Sequence, residues 1–380
     1  MTQATLRILA LALACAALAG CDDGGGSAQD AGLDGGTDSD ADTDSDADAG
    51  DTDTGYDFAA AAPWYECPIG DFPADAVVVT AFDQADQYFG DEDLRTIQSV
   101  VDFPTETGWS QIGLRFLLEC PEDDFCDIWD RVGYVRLVLN PEDDPSAWEY
   151  AELARHVTPY GMGMCEYIDV TPMAALLTGE RTLTSFFDTW VGPGNSSGHG
   201  WRGTVQFVFY PGVSAAPNEV INVWGERTIT VGEPDAGATV DDQTEPVLVP
   251  IPSGTSQVLA HLTTTGHSFN NTANCAEFCQ MRQDIYVNGT LFSVNPWRSD
   301  CEQNPVSPQG GTWLYDRNGW CPGAIAVGQL VDVTDAIVPG VDNELDFDIL
   351  LANGDVYVNE DPDAWLPNEI VALRLYLFGE

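Results

Sequence analysis

Basic residues are scarce in this chain: 13 Lys and Arg stand against 62 Asp and Glu, for a formal net charge of −49 over 380 residues. A surface of that sign repels nucleic acid and anionic membranes, which excludes nucleic-acid binding. Histidine is scarce too. His156, His199, His261 and His267 form no HxH or HExxH pair, and no two cysteines stand in a CxxC pair. Zinc needs such clusters, and the copper hydroxylases that act on peptide amides need grouped histidines and a Met, so no metal and no cofactor is expected. There is no P-loop and no dinucleotide fingerprint. Gly194-Asn195-Ser196-Ser197-Gly198 matches GxSxG but lies in a polar, Gly-rich stretch, where a loop is expected and not a nucleophile elbow. The longest apolar run, residues 8–20, is too short to span a bilayer. Helical patterning is nearly absent, with residues 171–177 the one short candidate. Acid–base chemistry therefore falls to carboxylates, and composition cannot choose among so many.

Local patterns are more informative. Residues 1–20 read as an export signal that ends in Leu18-Ala19-Gly20 before Cys21, which resembles a bacterial lipobox. Cys21 is then the expected lipidation site. Residues 21–57 hold 13 Asp and no Lys or Arg, and such a segment cannot bury apolar surface. Its alternating Asp resembles the start of a calcium loop. The Glu at position 12 and the flanking helices that a calcium-binding EF-hand needs are missing. The segment is expected to be a tether, with an r.m.s. reach of about 30–35 Å. The expected location is the bacterial cell envelope, periplasmic or surface-exposed, with the membrane touched only through the lipid. Beyond Cys15 and Cys21, eight cysteines remain, and an even number in an exported chain reads as disulfides.

From residue 64 onward, short runs rich in Val, Ile, Phe and Tyr recur between Gly, Pro, Asn and Asp turns. Residues 76–80, 133–139, 203–209, 257–262, 284–287 and 370–376 are the clearest strands. Many strands at this spacing suggest sandwiches or jelly rolls. The strand pattern lapses at residues 211–217. The expected architecture is all-β, with an N-terminal domain over 58–213 and a C-terminal domain over 214–380.

The chemistry-bearing motifs come in a fixed order. A short Cys loop, Cys120 to Cys126, runs into Trp129-Asp130-Arg131. Glu149, His156 to Tyr160, Ile168 to Thr171 and Asp188-Thr189-Trp190 follow. Then come Cys275-Ala276-Glu277-Phe278-Cys279, Asn304-Pro305 and Asp316-Arg317-Asn318-Gly319-Trp320-Cys321. This series resembles the peptide:N-glycosidase F family, from about residue 120 to 322. The resemblance implies two antiparallel jelly rolls, disulfides Cys120–Cys126, Cys275–Cys279 and Cys301–Cys321, and an amidase that releases N-glycans from asparagine. It makes Asp130 the principal catalytic carboxylate, Glu277 the second and Asp188 a third. It places Trp129, Trp190 and Trp320 along the cleft, with Arg131 and Arg317 beside it. N-glycosylated proteins or glycopeptides are the implied partners, and a monomer is expected. The chain departs from the pattern at Asp188, where the family has Glu, and at Thr265, where it has Trp two residues before His267. Cys67 and Cys165 stand outside the pattern and are left to pair with each other.

Each residue also has a plainer reading. Asp130 could pair with its neighbour Arg131, Arg317 with Asp316, the tryptophans could be core, and Glu277 could be a solvated loop residue. The rival to the amidase is a glycan-binding lipoprotein that uses the same cleft without turnover, and the two departures are what such a decay would look like.

Overall fold

The computed structural model describes residues 67, 72–106, 108–122, 125–213, 216–233, 239–361 and 363–379. The export signal, Cys21 and the Asp-rich linker lie outside the described residues.

Strands dominate. The first half contributes β1 (Val77–Gln87), β2 (Thr96–Phe103), β3 (Trp109–Glu119), β4 (Val132–Val138), β5 (Tyr150–Val157), β6 (Met164–Asp169), β7 (Gly179–Phe187) and β8 (Trp201–Pro211). The second half opens with β9 (Glu219–Thr230), β10 (Val247–Pro250), β11 (Thr255–His267), β12 (Met281–Val287) and β13 (Thr290–Val294). Three two-residue strands follow: β14 (Trp297–Arg298), β15 (Arg317–Asn318) and β16 (Ala324–Ile325). The chain then runs through β17 (Gln329–Asp332), β18 (Asp342–Leu351) and β19 (Asn368–Gly379). Residues 171–177 form only a single 3-10 turn at Thr171–Met173, because Pro172 and an Asp169 carboxylate bonded to the Thr171 N–H shape a turn there.

Sequence alternation explains the layering. In β3, Ile112, Leu114, Phe116 and Leu118 are all buried, as period-two side chains on one face must be. They share a core with Phe103, Leu137, Phe187, Trp201 and Phe207 from the neighbouring strands. A second core collects Ile285, Phe347, Val371, Leu373 and Leu375. The sheet orders are β1-β8-β3-β6 and β2-β7-β4-β5 in the first half, and β9-β19-β11-β17 and β10-β18-β12-β13 in the second. Leaving aside β14 to β16, the second half repeats the order of the first, the double Greek key of a jelly roll.

The halves are stitched together. β16 adds to the edge of β5, with Ala324 opposite Val157. β19 is buried on both faces, because Tyr376 reaches the first core while Leu375 and Leu377 fill the second. Between them Arg155, fully buried, pairs with Glu152 at 2.7 Å and donates to Thr265 Oγ1 at 3.0 Å and to the Ile370 carbonyl. Four disulfides close: Cys67–Cys165, Cys120–Cys126, Cys275–Cys279 and Cys301–Cys321.

Candidate active site

Neighbouring strand ends gather the candidate residues. Asp130 and Arg131 lead into β4, and Asp188 and Trp190 leave β7, the antiparallel partner of β4; the Asp188 N–H donates to the Val132 carbonyl at 2.9 Å. Tyr160 follows β5, on the other side of β4. From the second half, His267 ends β11 opposite Asn368 at the start of β19. All of these except Trp190 line a cleft of about 1020 Å³, together with Trp129, Glu277 and Trp320; Trp190 and Arg317 stand outside its lining. That volume is the upper end of what a small-molecule site needs, and enough for part of an oligosaccharide.

One buried acid shapes the Trp-Asp-Arg turn. Asp127 is fully buried and accepts from the Trp129 N–H at 3.0 Å, from Arg131 Nε at 2.8 Å and from the Thr189 hydroxyl at 2.7 Å. It therefore ties the 129–131 turn to the 188–190 segment. Arg131 pairs with Asp127 and not with Asp130, so the candidate acid keeps its oxygens for other partners. One of these is Tyr160, whose hydroxyl donates to Asp130 Oδ2 at 2.8 Å. Burial pushes the Asp130 carboxyl up from its ordinary value, against the Tyr160 hydrogen bond and the charges of Arg317 and Arg131.

Glu277 lines the same cleft, 8% exposed inside the Cys275–Cys279 loop. Its partner is Arg317, Nε to Oε1 at 3.2 Å, so Arg317 pairs with Glu277 and not with its neighbour Asp316. Burial raises Glu277 to about 7; Arg317 opposes the rise and the charge of Asp130 adds to it. Arg317 is itself fully buried and also donates to the Thr312 and Tyr315 carbonyls at 2.8 and 3.0 Å and to Thr312 Oγ1 at 2.6 Å. Four of the five donors of the guanidinium are thus committed inside the protein. Thr312 Oγ1 lies 3.1 Å from the Tyr160 hydroxyl. A continuous chain runs from Asp130 through Tyr160, Thr312 and Arg317 to Glu277.

The aromatics divide. Trp129 and Trp190 are each 52% exposed, whereas Trp320, which is in the cleft's lining, is 3% exposed. Trp320 donates its indole N–H to the Gly266 carbonyl at 2.7 Å and stacks on His267. Gly319, at a φ of 87°, makes this possible, since a Cβ there would collide with the Thr264 carbonyl. His267 is held neutral, lowered to about 3 by burial, and bonds Thr265 Oγ1 at 2.9 Å. Thr265 is the departure from the family's Trp, and here its hydroxyl serves the Arg155 junction.

Sequence reasoning missed Asp127, Glu369 and Arg95. Glu369 is fully buried and accepts from Asn318 Nδ2 and, at 2.9 Å, from the Thr264 hydroxyl; burial raises it to about 8. Asn318 in turn donates its N–H to the Glu277 carbonyl at 3.0 Å. Among the described residues no group of three or more His, Cys, Asp or Glu is placed to hold a metal ion.

Residues 236–355 match the family model described as Peptide-N-glycosidase F, C terminal. The chain is 29% identical over 286 residues to the peptide-N(4)-(N-acetyl-beta-D-glucosaminyl)asparagine amidase F of Elizabethkingia miricola, a match that covers 70% of this chain and 76% of that protein. The solved structure of recombinant peptide:N-glycanase F superposes with a TM-score of 0.66 at 21% identity, over 80% of this chain and 96% of that one. The glycosylasparaginase PNGase F from Flavobacterium meningosepticum gives the same values. PNGF-II superposes with a TM-score of 0.63 at 15% identity, over 80% of this chain and 66% of that one. At such identities the superpositions show a shared fold.

Proposed function

The chain belongs to the peptide:N-glycosidase F family, and on that premise we propose that it is an amidase acting on the bond between an asparagine side chain and the first GlcNAc of an N-glycan. The observation that carries the reading is one cleft lined by both Asp130 and Glu277, which are joined through Tyr160, Thr312 and Arg317.

In this reading ionised Asp130 takes a proton from a water whose oxygen attacks the amide carbon. The proton passes to the departing nitrogen as the carbon–nitrogen bond breaks. The products are an aspartate and a glycosylamine, which loses ammonia to water and leaves a reducing sugar. A positioned carboxylate contributes about 10²–10⁴-fold to such a proton transfer. Arg131, held at Nε by Asp127 and lining the cleft, is the donor for negative charge that develops on the amide oxygen. Arg317 has too few uncommitted donors for that task; it fixes and tunes Glu277. Glu277, at about 7, can donate to or accept from the sugar beside the scissile bond. Trp129 and Trp190, half exposed, offer flat faces to sugar rings.

The remaining parts follow from sequence. We propose that Cys21 is lipidated after residues 1–20 are removed, that residues 21–57 tether the folded part to the cell envelope, and that the chain acts as a monomer. The second reading, a glycan-binding lipoprotein, draws on Asp188 and Thr265. Incubating purified protein with a denatured N-glycoprotein and weighing the peptides separates the two: release with Asn converted to Asp supports the amidase, and capture without release supports the binder.

A further inference from the structure

We propose that Arg95 is a positioning residue for the third carboxylate, and that it adapts the site to the shorter Asp188. The proposal rests on the reading of Asp188 and Trp190 as parts of the site.

Arg95 lies on the loop between β1 and β2, far in sequence from the motifs of the cleft. Its guanidinium makes a two-pronged pair with Asp93, Nε to Oδ1 at 2.9 Å and a terminal nitrogen to Oδ2 at 2.7 Å. The same group lies between two aromatic rings, 4.7 Å from the centroid of Phe89 and 4.5 Å from that of Trp190. Its remaining terminal nitrogen is 3.8 Å from Asp188 Oδ1. One planar cation thus touches both Asp188 and Trp190. An arginine is the residue for this task, because its fork fixes orientation while its face stacks on aromatics, and a lysine does neither.

The loop is built to hold that cation still. The Arg95 carbonyl accepts from the Phe187 N–H at 3.0 Å and from the buried Gln87 amide at 2.9 Å. The Phe89 N–H donates to the Val191 carbonyl at 2.9 Å, and the Phe89 and Trp190 rings meet edge to face at 5.3 Å. A Cβ on Gly192 would strike the Phe89 carbonyl, so the two segments are in direct contact.

The shortened acid gives this a purpose. Asp carries its carboxylate about 1.5 Å less far than Glu, one carbon–carbon bond. A group misplaced by about 1 Å can cost on the order of 10²-fold in rate. Asp188 feels the charge of two cations, Arg131 from the turn before β4 and Arg95 from the β1–β2 loop. Of the two, Arg95 has a nitrogen 3.8 Å from Asp188 Oδ1 and also stacks on Trp190, so it is the cation that links the Asp188 carboxylate to the Trp190 face.

A double-mutant cycle tests this on the full chain. Rates on a denatured N-glycopeptide are measured for wild type, Arg95→Ala, Arg95→Lys, Asp188→Asn and Arg95→Ala/Asp188→Asn. Carbon NMR of labelled Asp follows the Asp188 titration in the absence of substrate. Arg95→Ala is expected to lower kcat/KM by about 10–100-fold, with the acidic limb of the pH profile and the Asp188 titration both moved to higher pH. Arg95→Lys is expected not to rescue. In the Asp188→Asn background, Arg95→Ala should cost no more than about twofold, since contacting residues are not additive. Independent, multiplying effects, or an unmoved Asp188 titration, overturn the proposal. If the wild type releases no glycan, the amidase reading falls, and the titration alone decides the role of Arg95.

Discussion

The Tyr160 hydroxyl donates to Asp130 Oδ2 at 2.8 Å and also lies 3.1 Å from Thr312 Oγ1, so a residue from the first half holds its acid against a loop of the second. Tyr160→Phe removes a donor that favours the charged carboxylate. Hydrogen bonds to charged groups contribute about 1.5–3 kcal/mol, so kcat/KM should fall by roughly 10–100-fold. The value of Asp130 should rise further, moving the acidic limb of the rate profile to higher pH. Asp130→Asn should lose about 10²–10⁴-fold in turnover with little change in Tm. A rate profile and a thermal melt for each variant check both.

Glu277→Gln keeps an acceptor for Arg317 Nε and removes the charge. Turnover should be lost while the fold remains. The wild-type profile should show an inflection near 7 that the variant lacks. A variant that keeps the inflection would assign it to another group.

At Asp188, Ala should slow turnover, while Glu should change it modestly in either direction, because the side chain touches the substrate region without being the principal acid. An unchanged rate and affinity in Asp188→Ala would remove the residue from the site.

Stability should fall as pH rises from about 5 to about 8. Burial raises Glu277 to about 7 and both Glu166 and Glu369 to about 8, above the ordinary 4.5. In that window the folded chain holds protons the unfolded chain has released, so each unit of pH favours unfolding until the folded groups ionise too. Glu369→Gln should flatten the slope in urea denaturation across this range. A slope that is unchanged would mean Glu369 stays charged when folded.

Arg155→Met should destabilise by about 3–5 kcal/mol, since it leaves Glu152 buried without its cation. Urea titration reads this directly.

Much of this was legible in the sequence. The apolar runs of β4, β8 and β19 marked strands, and the Trp129-Asp130-Arg131 and Cys275-to-Cys279 segments marked the cleft. What stayed hidden were residues whose meaning depends on distant partners. Asp127 is one acid among 62, and only burial beneath Arg131 and Thr189 gives it a role. Glu369 sits in a hydrophobic strand, and nothing local tells that Asn318 and Thr264 meet it. Arg95 works through Trp190 and Asp188, almost a hundred residues away. The plainer pairings with sequence neighbours do not form: Arg131 pairs with Asp127 and Arg317 with Glu277.

The central claim is that Asp130 and Glu277 together cleave the amide of a glycosylated asparagine. It is tested most directly by peptide mass spectrometry after incubation of a denatured N-glycopeptide in heavy-oxygen water. The account predicts that asparagine becomes aspartate carrying one heavy oxygen, that the glycan leaves whole with its reducing GlcNAc, and that Asp130→Asn and Glu277→Gln each stop this. A GlcNAc left on asparagine, or glycopeptide bound and unchanged, would contradict it.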